Sequence, residues 1–164
     1  MASRNLDDLD HPFRGKARKF IILCEQAGLE VLIYCTARGL EEQSILYRQS
    51  RTLSEIKAKA KELADVYGRS DLAKILLDVG PQNGPHVTNA GPGQSLHNYG
   101  LAFDGVPIIH GKPIWDTESP LWRLYGDIAE MAGMDWSGSW IRFTEYPHCQ
   151  EHDVRWQDLI VRKV

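Results

Sequence analysis

Residues 80–94 read GPQNGPHVTNAGPGQ. No helix or strand can run through such a stretch. Pro81, Pro85 and Pro92 lack a backbone donor, and the intervening glycines add conformational freedom without apolar surface to bury. A long loop is therefore expected here, and it divides the chain into two parts with different patterning. Upstream, residues 11–27 place Phe13, Ala17, Phe20, Ile21 and Cys24 on one helical face, with Asp10 as cap, Pro12 in the first turn and Gly28 as stop. Residues 29–36 alternate as a buried strand, and a short helix follows over 40–49. Thr52 and Glu55 have the spacing of a capping box, which opens a helix running to about Tyr67, and a further short helix covers 71–78. Downstream, 101–107 reads as a strand. His110-Gly111 reads as a hairpin turn between 108–109 and 113–115. Ser119-Pro120 starts a helix that Gly133 ends, with Leu121, Leu124, Tyr125, Ile128 and Met131 on its core face. Residues 140–144 are expected as a last central strand, and the tail from Val154 as another. Helices first and short, partly hairpin-linked strands later predict an α+β fold, a central antiparallel sheet with helices packed on it.

Length and composition narrow the function. A chain of 164 residues builds one sizeable core, so a single domain over 1–164 is expected. The net charge of −3 argues against nucleic acid as a partner. Cys24, Cys35 and Cys149 are odd in number and form no CxxC, which predicts reduced thiols and neither a disulfide framework nor a cysteine zinc site. The opening MASRNLDDLDH lacks the apolar stretch of a signal peptide, and no run of about 18 apolar residues occurs, so no membrane insertion is expected.

Three segments carry chemistry. In Ser95-Leu-His97-Asn-Tyr-Gly100-Leu-Ala102-Phe-Asp104, period two puts Ala102 and Asp104 on one strand face and Leu101 and Phe103 on the other. His97 lies on the loop entering that strand, and a histidine and an aspartate there can share one metal ion. Glu145-Tyr-Pro147-His148 supplies a third ligand in His148, with Pro147 read as the end of the preceding strand. Two histidines and one carboxylate leave a fourth position to water, as catalytic zinc sites do. Glu145, three residues before a ligand, is placed to act as general base. Arg38, directly after the first strand, can offer its fork of donors to a substrate carboxylate or carbonyl.

The string SLHNYGLAFD matches the SxHxxGxAxD signature of the zinc D-Ala-D-Ala carboxypeptidase and L-alanyl-D-glutamate endopeptidase family. Glu145-Tyr-Pro-His148 resembles its second signature. The resemblance runs over about 31–150 and looks nearest to phage and prophage endolysins. It implies the small hedgehog/DD-peptidase-like fold, with His97, Asp104 and His148 as ligands of one Zn2+ ion and Glu145 as catalytic base. It further implies Arg38 at the substrate carbonyl or developing oxyanion, Ser95 as an aid to substrate binding, and the peptide stem of peptidoglycan as substrate. A monomer made in the bacterial cytoplasm without a signal peptide would then need a holin-like partner to reach the wall. Two departures stand out. Trp136-Ser137-Gly138-Ser139-Trp140 replaces the Trp-Gly-Gly-Asp-Trp of many members, and 53–83 looks like a helical and loop insertion. Trp136 and Trp140 are the tryptophans expected at the cleft. Three alternatives stay open: a D-Ala-D-Ala carboxypeptidase or dipeptidase, a non-catalytic zinc-fold binding module, and an iron(II) facial triad, although a helix-rich first half does not suit the jelly roll of the last.

Overall fold

The structure, a computed structural model, describes residues 2–161. In chain order the elements are α1 (His11–Gln26), β1 (Glu30–Cys35), α2 (Leu40–Arg48), α3 (Leu53–Asp65), α4 (Ser70–Asp78), β2 (Ala102–Ile109), β3 (Lys112–Pro113), α5 (Pro120–Met131), β4 (Met134–Trp136), β5 (His148–Glu151) and α6 (Trp156–Ile160). Single 3-10 turns occur at Leu6–Asp8, Leu96–Tyr99 and Ser137–Ser139. These elements form two compact units. A sheet unit comprises Ala2–Ala37 and Gly100–Asp153, and a helical unit comprises residues 38–99 and 154–161.

In the sheet unit every pairing is antiparallel, in the order β1-β2-β5-β4, with β3 folded back on β2. The α+β class read from the sequence is the class observed. Phe13, Ala17, Phe20 and Cys24 of α1 are buried, as their spacing requires, and meet Trp122, Tyr125, Ile128 and Ala129 of α5 over Phe103 and Cys149 of the sheet. The Phe20 ring lies 5.5 Å from Phe103 and 5.0 Å from Tyr125, the latter edge-on, each contact adding about 0.5–1.5 kcal/mol beyond the area it buries. His110 (φ 50°) and Gly111 (φ 73°) are both left-handed, as the predicted two-residue hairpin turn demands. Asp10 caps α1 by position only. Its side chain makes no capping bond, and its backbone N–H donates to Gly100 O at 2.9 Å.

The structure corrects four expectations. Residues 140–144 are not a strand. Phe143 turns left-handed at φ 57°, and the Thr144 hydroxyl donates to Trp140 O at 2.6 Å, closing the segment as an exposed loop. The last sheet strand is instead β5, which follows Pro147, so the proline precedes a strand that it could not itself donate to. The chain after Val154 forms α6 and no strand. Met131 is 64% exposed, because α5 ends there and its face turns outward.

In the helical unit the Thr52–Glu55 capping box is formed in both directions, and α3 and α4 bury Ile56, Leu63, Leu72 and Leu76 around Tyr47 and Ile160. Buried Arg69 binds both carboxylate oxygens of Asp71 (2.8 and 2.6 Å) and donates to Ile160 O at 2.7 Å, which ties α6 to the start of α4. The 80–94 stretch contains no helix or strand. Among the described residues, no helix is long and apolar enough to cross a membrane.

Cys24, Cys35 and Cys149 form no disulfide and are buried. Burial pushes the Cys24 thiol up to about 12 and the Cys149 thiol further still. Folded protein treated with iodoacetamide near pH 8 should therefore keep both as unreactive thiols, since the thiolate is the nucleophile, while unfolded protein labels all three. Rapid labelling of Cys24 in the folded state would contradict this packing.

Candidate metal centre and active site

The site starts from the alternation of β2 and β5. Phe103 pairs with Cys149, and both face the core. Their neighbours Asp104 and His148 pair with each other, so both side chains project from the opposite face. The His148 Nδ1 lies 3.2 Å from Asp104 Oδ1. Gln150, two residues on and on the same face, places its Oε1 3.2 Å from His148 Nε2. The imidazole is thus held between a carboxylate and an amide oxygen. On the other side of Asp104, across β1, the register partner is Cys35. A carboxylate oxygen beside an imidazole nitrogen, both sheltered, is a donor pair that suits zinc.

Glu145 enters through the turn that delivers His148. Its carbonyl accepts from the His148 N–H at 3.1 Å and from the Ser137 hydroxyl at 2.5 Å. The Tyr146 carbonyl accepts from the indole N–H of Trp136 at 2.7 Å. The Pro147 carbonyl accepts from the Gly105 N–H and the Tyr125 hydroxyl, both at 3.0 Å. The backbone of 145–147 is therefore fixed from three elements, β2, α5 and β4 with its following turn. The Glu145 side chain itself is exposed.

The helical unit holds the remaining expected residues. His97 is buried, in the 3-10 turn of Leu96–Tyr99, and its carbonyl accepts from the Arg38 N–H at 3.0 Å. Asn98 fastens the same region. Its side chain donates to Arg38 O at 3.0 Å and accepts from the Gly93 N–H at 2.9 Å. The Arg38 guanidinium donates to Gln43 Oε1 at 2.9 Å, and the buried Gln43 amide in turn donates to Ala90 O at 2.7 Å. Ser95 is half-buried and its carbonyl starts the turn that carries His97, accepting from Asn98 N–H.

A sequence profile described as D-alanyl-D-alanine carboxypeptidase matches residues 88–151, the stretch that holds His97, Asp104, Glu145 and His148. The peptidoglycan L-alanyl-D-glutamate endopeptidase CwlK of Bacillus subtilis (strain 168) is 31% identical over 131 residues, which is 75% of this chain and 61% of CwlK. Over these stretches the chain is similar to the D-alanyl-D-alanine carboxypeptidase and L-alanyl-D-glutamate endopeptidase family. The chain spans about three fifths of the length of that curated relative. Its fold is that of solved peptidases. The L-Ala D-Glu endopeptidase ChiX of Serratia marcescens superposes with a TM-score of 0.51 at 14% identity, over 92% of this chain and 88% of ChiX. A variant of the vancomycin-resistance D,D-pentapeptidase VanY, solved with Zn(II), gives 0.50 at 15% identity, over 87% of this chain and 72% of VanY.

Of the two tryptophans expected at the cleft, Trp140 stands beside His148, its ring 6.3 Å from the His148 ring. Trp136 is buried and packs edge-on to Tyr146, so it supports the turn and does not face a substrate. The sequence reading passed over Ser137, Gln43, Asn98 and Gln150. The first lay inside a departure already visible, read as a lost carboxylate when it also brought a hydroxyl.

Proposed function

We propose that this chain is a zinc-dependent peptidase of the peptidoglycan stem, cutting the L-alanyl-D-glutamate bond, and that it works as a lytic enzyme of the phage-endolysin kind. The observation that supports it is the facing pair Asp104–His148 on adjacent strands, with Glu145 on the turn that closes onto His148. The similarity to CwlK favours the L-alanyl-D-glutamate bond over the D-Ala-D-Ala bond.

In this reading His97 joins Asp104 and His148 as ligands of one zinc ion. Zinc held by such a set would lower the pKa of a bound water to about 7 and would polarise a carbonyl. Glu145 takes the proton from the attacking water and returns it to the leaving amine. The Arg38 guanidinium, oriented by Gln43, stabilises charge on the carbonyl oxygen, a kind of donor whose loss typically costs about 2.7–4 kcal/mol of barrier. Ser95 helps seat the substrate. In the endolysin role the protein acts as a monomer on the wall, after a holin-like partner has opened the membrane.

Mass spectrometry of purified peptidoglycan digested by the protein tests the bond. Fragments with new N-terminal D-glutamate are expected. Release of free D-alanine in their place would move the assignment to a carboxypeptidase, and an undigested wall with added zinc would contradict the enzymatic reading.

A further inference from the structure

The Glu145 side chain is exposed and has no hydrogen-bond or ion-pair partner among the described residues. Its aim must therefore come from its backbone. That backbone is held by one fully buried side chain, Ser137, whose hydroxyl lies 2.5 Å from Glu145 O and 3.3 Å from His148 O. The same atom thus touches both ends of the four-residue turn, the end that bears the exposed carboxylate and the end that bears the imidazole. A hydroxyl carries one proton, so the short contact to Glu145 O takes the bond and the longer one is the weaker branch. Neighbouring groups cannot replace it. The Trp136 indole serves Tyr146 O, the Tyr125 hydroxyl serves Pro147 O, and the Ser139 hydroxyl is used on Trp136 O at 2.9 Å.

We infer that Ser137 is a positioning residue that sets the spacing between Glu145 and His148, so that one buried hydroxyl tunes both proton transfer and metal affinity. The inference rests on the reading of Glu145 as base and His148 as zinc ligand. It concerns a place where this chain departs from the family pattern, the first residue after Trp136. Outer-shell partners of a metal ligand typically change affinity or activity by about 10–100-fold when removed.

The test uses the full-length protein with Ser137→Ala, Ser137→Cys and, as a control in the same turn, Ser139→Ala. Zinc affinity is read by competition with a chromogenic chelator, and kcat and KM on a stem peptide. Ser137→Ala should weaken zinc binding and lower kcat by about tenfold each, with KM little changed. Ser137→Cys, close in size but a weak donor, should show the same direction. Ser139→Ala should match the wild type in both. A purely structural serine would lower the melting temperature and leave zinc affinity and kcat unmoved. Folded Ser137→Ala or Ser137→Cys protein within twofold of wild type in both readouts overturns the inference. If the wild type binds zinc without hydrolysing the peptide, the reading of Glu145 as base falls, and with it this inference.

Discussion

Glu145→Gln should leave zinc content and melting temperature unchanged and lower kcat by about 10²–10⁴-fold, the usual range for a positioned acid–base group. The amide keeps the size and position of the carboxylate but cannot take a proton from water. The fold gives no reason for the change to be felt elsewhere. Glu145 is exposed, and the bonds that hold its turn run through backbone carbonyls. Release of soluble fragments from a cell-wall suspension, followed beside zinc content, checks both halves. Near wild-type lysis by the glutamine variant would remove Glu145 from the chemistry. Loss of zinc together with activity would make it a ligand.

Gly126→Ala should be strongly damaging to stability. A Cβ at that point of α5 would lie 2.0 Å from Trp136 Cε3 and 2.4 Å from Cζ3. The ring has no room to retreat, because a Cβ on Gly138, on the turn that follows, would meet Trp136 Cζ2 at 2.0 Å as well. The tryptophan is thus held between two glycines, and its indole N–H holds Tyr146 O in the turn that carries Glu145. Overpacking of this kind costs about 3 kcal/mol, at the upper end of its usual range, and the better helix propensity of alanine offsets about 1. A net loss of about 2 kcal/mol lowers the melting temperature by about 4–8 °C in a chain of this size. Gly15→Ala on α1 is the matched comparison. Nothing lies within 4 Å of its Cβ, so the propensity term acts alone and the melting temperature should rise. Thermal denaturation of the two variants should therefore move in opposite directions. An unchanged or raised midpoint for Gly126→Ala would contradict the packing of Trp136.

The helices were legible because their signals are local. The Thr52–Glu55 capping box, Ser119-Pro120 before α5 and the apolar faces of α1 and α5 each depend on residues within a turn or two of one another. The proposed ligand and base residues were legible for another reason. His97, Asp104, Glu145 and His148 stand in two short motifs of fixed spacing. The last strands were not. Trp140-Ile-Arg-Phe-Thr alternates as a strand should, yet a strand forms only where a neighbour offers a ladder. β2 pairs with His148–Glu151, and 140–144 is left outside, with Ile141 and Phe143 exposed. Cys35 shows the same limit. Composition predicts reduced thiols with some in the core, and Cys35 is buried, but its place opposite Asp104 follows from the register shift between Ile33 and Cys35, a property of the pairing. The clamp on the 145–147 carbonyls joins residues from β2, α5 and β4, and nothing in their separate sequences announces it.

The most direct measurement is the zinc content and affinity of the purified protein beside His97→Ala, Asp104→Ala and His148→Ala. One equivalent of zinc in the wild type, and its loss or severe weakening in every one of the three folded variants, is the expected result. A variant of any of them that still carries a full equivalent at wild-type affinity would contradict the assigned ligand set.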